Sequence, residues 1–395
     1  MNVLLWQTLD EAANFASGGT PSKANPAFWS GHIPWVSAKD MKLLRISDAE
    51  DHLTVEGLEA GSKLAPRGST LVLVRGMTLL NDVPICIAEC DVAFNQDVKA
   101  LFPKKGIESA YLSYAVLGAK PHLFAQVDLA GHGTGKLPTD VFKAVRIRVP
   151  EPDEQRAIAH VLETLDDKIE LNRRMSQTLE AIAQAVFKSW FVDFDHNWPT
   201  ADWQSRPLDS VADFLNGLAL QKFPPVDGEE TMPVIKISQL RAGHTKTADR
   251  ANENVPAPYV INDGDLLFSW SGSLEVDFWC GGKGALNQHL FKVTSSVAPD
   301  WYAYLWTKHH LPEFRAIAAN KATTMGHIQR KHLTAAEVLL PPPPILEEMD
   351  AVMKPIFAEL IQRRLETRTL SELRDELLPK LMSGELTPDL EVANP

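Results

Sequence analysis

Two long helix signals, half a chain apart and each introduced by the same short preface, limit what this chain can fold into more than any other feature. From Glu154 to Phe191 no glycine or proline interrupts the sequence, and apolar residues fall at Ile158, Leu162, Leu165, Ile169, Met175, Leu179, Ile182 and Val186. Steps of three and four draw the narrow stripe of a coiled-coil seam. Asn172 falls on that seam, where a polar residue fixes register at some loss of stability. The second block repeats the stripe through Leu346, Met349, Val352, Ile356, Leu360, Leu370, Leu373, Leu377 and Leu381, with Arg363 and Thr367 as polar interruptions. Pro355 is expected to bend this second helix or to start it late. Either helix alone would be one amphipathic wall of a core; two of them suggest a pair.

The prefaces match as well. Val145 to Val149 reads as a strand and leads into Pro150-Glu151-Pro152-Asp153-Glu154-Gln155, while Ala336 to Leu340 leads into Pro341 to Pro344 and then Glu347-Glu348. Prolines stop a strand, and acidic residues suit a helix N-terminus. Further back, Ala93-Phe94-Asn95-Gln96 matches Ala285-Leu286-Asn287-Gln288, and Gly135 precedes Pro150 by the interval that separates Gly326 from Pro341. Gly68 to Gly76 matches Gly264 to Gly272 without a gap, and Ile33-Pro34-Trp35-Val36 faces Met232-Pro233-Val234-Ile235. Matches that keep their order define an internal two-fold repeat. The expected architecture is a globular domain over residues 1–149, a helix over 150–195, a second globular domain over 196–340 and a second helix over 341–395. Each domain reads as α/β or α+β, with short β-like runs such as Thr70 to Arg75 and Leu266 to Trp270 and helical stretches at Ser109 to Leu117 and Trp301 to Lys308.

With 395 residues, 45% of them hydrophobic, the chain has material for two or three real cores. No run approaches the roughly 20 apolar residues of a membrane span, and the start lacks the features of a signal peptide, so the expectation is a cytoplasmic protein that meets no membrane. Cys86, Cys90 and Cys280 have neither disulfide-framework nor zinc-site spacing and read as small buried residues. The formal charge of −12 argues against nucleic acid until its distribution is seen. The two helical blocks hold 11 basic against 21 acidic side chains and the two globular blocks 28 against 30, which leaves the domains free to carry basic patches.

Catalytic parts are missing from the sequence. There is no Asn or Asp followed by Pro-Pro and an aromatic residue, and Gly131-His132-Gly133-Thr134-Gly135-Lys136 has the wrong spacing for a phosphate loop. Histidines and carboxylates lack metal-ligand spacing, and His309-His310 reads as a solvated helix end. No catalytic or metal-ligating residue is assigned.

Several segments together resemble a known family: Ile33-Pro34-Trp35-Val36-Ser37, Asn95-Gln96-Asp97, Gly133-Thr134-Gly135-Lys136, Pro150 through Arg156, Asp166 through Arg173, Lys188 through Asp195 and Glu376 through Leu386. They resemble the specificity subunits of type I restriction-modification systems, and most strongly in the helical blocks. The resemblance implies two target recognition domains, each reading half of an asymmetric, interrupted site on double-stranded DNA, and two helices packed antiparallel as spacer and docking surface. It implies a chain without catalysis or cofactor of its own. Two modification subunits would use S-adenosylmethionine to methylate adenine at N6, and restriction subunits would use ATP and Mg2+ for translocation and cleavage. The sequence departs from the family pattern at Ile345-Leu346-Glu347-Glu348, where the second preface lacks a Glu-Gln-Arg. The alternatives are a self-contained DNA methyltransferase or nuclease with degenerate motifs, and a coiled-coil scaffold that binds only protein.

On this resemblance the glycine-rich run reads as a loop whose backbone approaches DNA, with Thr134 and Lys136 supplying a hydroxyl and a cation. Its counterpart runs from Thr323 to Lys331 and offers His327 and Arg330. A plain surface turn is the alternative for each. Asn95-Gln96 and Asn287-Gln288 either pair with adenine or satisfy backbone groups, and their recurrence favours the structural role. Domains that read different half-sites should differ where they touch bases, so the nonmatching segments are the better candidates. These are Lys39, Lys42 and Arg45 in the first domain, and Lys236, Ser238, Gln239, Arg241 and His244 in the second. Trp35 reads as core. For helix packing and partner docking the candidates are Ile158, Leu165, Asn172, Leu179, Trp190, Leu360, Leu370 and Leu377, with Phe191 and Phe194 locking the end of the first helix. About 37 helical residues at about 1.5 Å each give a spacer of roughly 55 Å, which implies roughly 5 to 8 unread base pairs between two unlike half-sites.

Overall fold

A computed structural model describes residues 6–130, 133–320 and 326–389. The chain divides into two units, Met1–Asp167 with Ser371–Pro395, and Lys168–Leu370. Each holds one globular domain and a stretch of both long helices, because the helices Pro152–Phe191 and Pro343–Ser383 pass from one unit into the other.

In the first unit a five-stranded sheet runs in the order Ala13–Ser17, Val98–Pro103, Thr70–Leu73, Ile85–Ala88, Arg45–Ile46. A four-stranded sheet holds Trp29–Val36 beside Val92–Phe94 in parallel, with Trp35 opposite Ala93 and Val36 opposite Phe94. The second unit repeats both. One sheet is ordered Asp213–Asn216, Leu290–Thr294, Leu266–Ser269, Val276–Phe278, and in the other Val234 lies opposite Ala285 and Ile235 opposite Leu286, again in parallel. The matched sequence runs are therefore the same strands in both domains. They recur because their side chains are buried on both faces, as at Thr70 to Leu73 and Leu266 to Ser269.

The recurring Asn-Gln pairs have a structural task. Asn95 and Asn287 are buried, and each side-chain oxygen accepts the backbone N–H two residues on, from Asp97 at 3.0 Å and from His289 at 3.2 Å. A glycine approaches both turns closely. A Cβ on Gly18 would lie 2.0 Å from the Phe94 carbonyl oxygen, and one on Gly217 would lie 2.2 Å from that of Asn287.

The prefaces are strands that pair with the start of each domain: Arg146–Arg148 with Trp6–Thr8, and Glu337–Leu340 with Gln204–Pro207. A tyrosine ties each strand to a domain helix, since Tyr111 donates to the Arg148 carbonyl at 2.6 Å and Tyr302 to that of Leu339 at 2.8 Å. Where the family pattern lapses, the structure supplies the reason. Gln155 is buried, accepts the Glu108 N–H and donates to the carbonyls of Gly106 and Pro150 at 2.8 to 3.0 Å. In the second preface, buried Leu346 joins an apolar cluster with Met349, Met353 and Phe357, so there are no polar groups to satisfy.

Within each unit the helix stretches run antiparallel. Ile158, Ala159 and Leu162 share the first core with Leu378 and Leu381, and Asp166 pairs with Arg374 at 2.8 Å. In the second, Lys168 pairs with Glu366 at 3.4 Å and Glu180 with Arg364 at 3.4 Å, while Ala183, Phe187 and Trp190 share a core with Met349, Met353 and Phe357.

Several expectations are corrected. The second helix starts at Pro343 and continues through Pro355, so this proline does not start it late; the apolar face that anchors a helix of 41 residues offsets the hydrogen bond lost there. Ile182, Val352 and Leu373 are more than 40% exposed. The apolar stripe drifts off the buried line, which in the first helix runs through Asp166, Asn172, Ser176, Ala183, Phe187 and Trp190. Cys86 and Cys280 are buried, but Cys90 is half-exposed and its Sγ lies 3.2 Å from the Ser47 carbonyl oxygen. His309 and His310 end no helix: Asp300–Asn320 runs past them, and they pack on Phe187 and Trp306. Phe194 is exposed and touches only His196 and Trp203 in ring contacts, whereas Trp190 and Phe191 are buried among Trp301, Tyr302 and Trp306.

Candidate nucleic-acid interface

A side chain can read DNA only if its hydrogen-bonding groups are not spent inside the protein. The candidates divide sharply on this test. In the first unit the segment after Val36 is a turn held by Asp40, which accepts from the Ser37 N–H and hydroxyl at 2.9 Å and from the Glu50 N–H at 3.0 Å. Lys39 leans back onto Asp51 at 3.0 Å and Glu50 at 3.1 Å, and the hydrogen bond to Asp51 holds its ammonium above the usual lysine range. Lys42 is exposed and makes no ion pair among the described residues.

Arg45 is reassigned. It lies on the short strand Arg45–Ile46, pairs with Asp167 and with Glu89 at 3.7 Å, and is only 18% exposed. Burial opposes its charge, but the Asp167 carboxylate outweighs burial and holds the guanidinium above the ordinary arginine range. Arg45 clamps the first long helix to its domain, and a base contact would break that clamp.

In the second unit Gln239 is withdrawn for the same reason. It is buried in the helix Ile237–Ala242, and its side-chain oxygen accepts the Lys236 N–H at 3.3 Å and the Ser238 hydroxyl at 2.9 Å. Lys236 pairs with Asp249. Ser238, Arg241 and His244 are exposed, and His244 Nδ1 accepts the Lys246 N–H at 3.4 Å. Arg241 has no ion-pair partner among the described residues.

The glycine-rich segments are built differently from expectation. Thr134–Lys136 is a strand, paired on one side with Asp128–Ala130 and on the other with Arg75–Gly76. Gly135 faces inward, since a Cβ there would lie 2.7 Å from the Leu79 Cβ. Gly326 does the same in the second unit, where a Cβ would lie 2.4 Å from the Ala318 carbonyl oxygen. These glycines bring the strand close to its own domain, and neighbouring side chains face outward: Lys136 is exposed and Thr134 half-buried. His327 is half-buried and bridges to Ser271, with its ring 6.2 Å from that of Trp270. Arg330 donates to the Phe214 carbonyl at 3.0 Å and lies over the Phe291 ring, so its fork is partly spent. Gly131, His132 and Thr323 to Met325 lie outside the described residues.

The packing candidates fall in two groups. Ile158, Trp190 and Leu360 are buried; Leu165, Leu179, Leu370 and Leu377 are half-buried. Asn172 is fully buried, and neither atom of its amide has a hydrogen-bond partner. Asp166 and Glu180 escaped the sequence reading. Asp166 accepts from Tyr114 at 2.7 Å and from Arg374; Glu180 accepts from Tyr304 at 2.7 Å, from Lys308 and from Arg364. Among the described residues no helix is long and apolar enough to cross a membrane, and no group of three or more histidines, cysteines or acids is placed to hold a metal ion.

Comparison with known proteins places these domains in context. The model of the type I restriction modification DNA specificity domain matches the chain twice, over residues 5–181 and 200–368. The chain is 47% identical over 340 aligned residues to the type I restriction enzyme HindI specificity subunit of Haemophilus influenzae, covering 65% of this chain and 73% of that one. It is 26% identical to the MjaIX specificity subunit of Methanocaldococcus jannaschii over 96% of this chain and 92% of that one. The crystal structure of a type I restriction-modification S subunit from M. genitalium shares the fold, with a TM-score of 0.55 at 14% identity over 98% of each chain.

Proposed function

The chain belongs to the type I restriction-modification DNA specificity family, and from that membership we propose that it chooses the DNA sequence on which a modification and restriction complex acts. It is a noncatalytic specificity subunit with two target recognition domains. The observation that carries this is the double match, over 5–181 and 200–368, which coincides with two domains of one plan built on paired helices.

The finer reading follows from chemistry. Two domains with common strands and different exposed side chains should read two different half-sites, so the site is bipartite and asymmetric. The available groups are Lys42, Thr134 and Lys136 in one domain and Arg241 and His244 in the other. The helices offer a docking surface for two modification subunits, which supply S-adenosylmethionine and transfer its methyl group to adenine N6. Restriction subunits supply ATP- and Mg2+-dependent translocation and cleavage, and the complex works on DNA in the cytoplasm.

The test is direct. Purified chain alone should neither methylate nor cut DNA, and adding its modification subunit should give adenine methylation at one interrupted sequence, mapped by sequencing. Turnover by the chain alone, or a continuous palindromic site, would refute the proposal.

A further inference from the structure

The two domains share a set of backbone hydrogen bonds at one sheet end and differ there in side chains. At the first, the Val74 N–H donates to the Asp97 carbonyl at 2.8 Å, and the Leu137 N–H to the Val74 carbonyl at 2.9 Å. At the second, the Trp270 N–H donates to the His289 carbonyl at 3.4 Å, and the Ile328 N–H to the Trp270 carbonyl at 3.0 Å. Arg75 lies opposite Lys136 and Gly76 opposite Gly135; Ser271 lies opposite His327, and the Gly272 N–H donates to the Gly326 carbonyl at 2.9 Å. By these hydrogen bonds and bridges Arg75 corresponds to Ser271, Lys136 to His327, and Asp97 to His289.

Side chains at these positions divide by chemistry. Arg75 and Lys136 are exposed and make no ion pair among the described residues. In the second domain the counterpart of Arg75, Ser271, is buried, and its hydroxyl lies 3.0 Å from His289 Nδ1, while the Gln288 amide nitrogen lies 3.3 Å from His289 Nε2. The glycine-packed frame repeats, and on it the first domain presents exposed cations where the second buries a hydroxyl. Charge decides the direction: a free guanidinium matches the two acceptors, N7 and O6, on the major-groove edge of guanine.

We propose that this sheet end is a base-reading face of the first domain, with Arg75 reading a guanine in its half-site. This rests on the proposed function, and it adds a residue that the nonmatching segments did not include.

The experiment uses the chain assembled with its modification subunits and duplexes carrying the site found by methylation mapping. Wild-type complex should discriminate against replacement of the Arg75-read guanine by roughly 5- to 150-fold. Arg75→Ala should lose that discrimination at one position while the second half-site stays strict. Where Arg75→Ala does not assemble, Arg75→Gln, which keeps a long polar side chain, carries the same comparison. Uniform weakening on every duplex, complete loss of binding by an assembled variant, or an unchanged recognition sequence would each overturn the assignment. A wild-type complex that maps to no bipartite site would instead overturn the function on which it rests.

Discussion

At the scale of single residues, commitment decides role. Arg45 and Gln239 looked like base readers because they lie in segments that differ between the two domains, but their partners lie elsewhere or bury them: Arg45 meets Asp167, far along the chain, and Gln239 folds under its own helix start. Asn172 is the opposite case, a buried amide with no hydrogen-bond partner among the described residues. An unpaired buried polar group costs about 1–3 kcal/mol, so Asn172→Leu, of similar volume, should raise the thermal midpoint of the purified chain. Such a gain would come at the expense of register, which a polar seam residue helps to fix. A lower midpoint in calorimetry would show that the amide is satisfied in solution.

At the scale of elements, the long helices are held at their ends by apolar cores and between them by ion pairs and hydrogen bonds. Leu162 is fully buried in the first core while Leu165, three residues on, is half-buried. Leu162→Ala should destabilise by about 2–5 kcal/mol, and Leu165→Ala by clearly less, in denaturant unfolding. Equal losses would mean that the buried line has been misplaced. Glu180 provides a pH test. Burial would raise its carboxyl, but the hydrogen bonds from Lys308 and Tyr304 and the charges of Lys308 and Arg364 outweigh it, and the group lies below the usual glutamate range. A carboxylate with a depressed folded value contributes stability above its unfolded value and loses it as pH falls through the folded one. Glu180→Gln should therefore lower the thermal midpoint at neutral pH and flatten its fall on the acid side. A variant curve parallel to wild type at every pH would remove Glu180 from this account.

At the scale of the whole molecule, the chain repeats a domain and a helix, and the proposed function makes helix length a determinant of the DNA site. The middle stretches are the place to alter it, because the apolar cores reach only the outer parts of the helices: neither core includes a residue between Leu162 and Ala183. Inserting seven residues after Arg173 and seven after Thr369 adds about two turns to each helix, or roughly 10 Å, while keeping the seam in phase. The gap between half-sites should widen by about 3 base pairs, with both half-sites unchanged. Methylation mapping reads this directly, and an unchanged gap would remove the helices as its ruler.

Periodicity and repetition were enough to establish the two helices and the order of domain and helix, because each is set by local pattern; the pairing of strands such as Trp29–Val36 with Val92–Phe94 came only from the structure. The preface was legible too, although only the structure shows why Gln155 in one copy can be Leu346 in the other. The line that a long helix buries was not legible beyond its first turns. A stripe read from apolar residues alone catches Asn172 as its polar member but misses Asp166 and Ser176, which are buried against the run of the hydropathy. Arg75 left a trace that went unread: it is a mismatch with Ser271 inside a gapless match. The sequence by itself determined the elements and their duplication, since backbone geometry and burial act over a few residues. Which polar side chains are spent and which remain available to DNA was decided only by tertiary structure, because a hydrogen bond or ion pair depends on groups brought together across the chain.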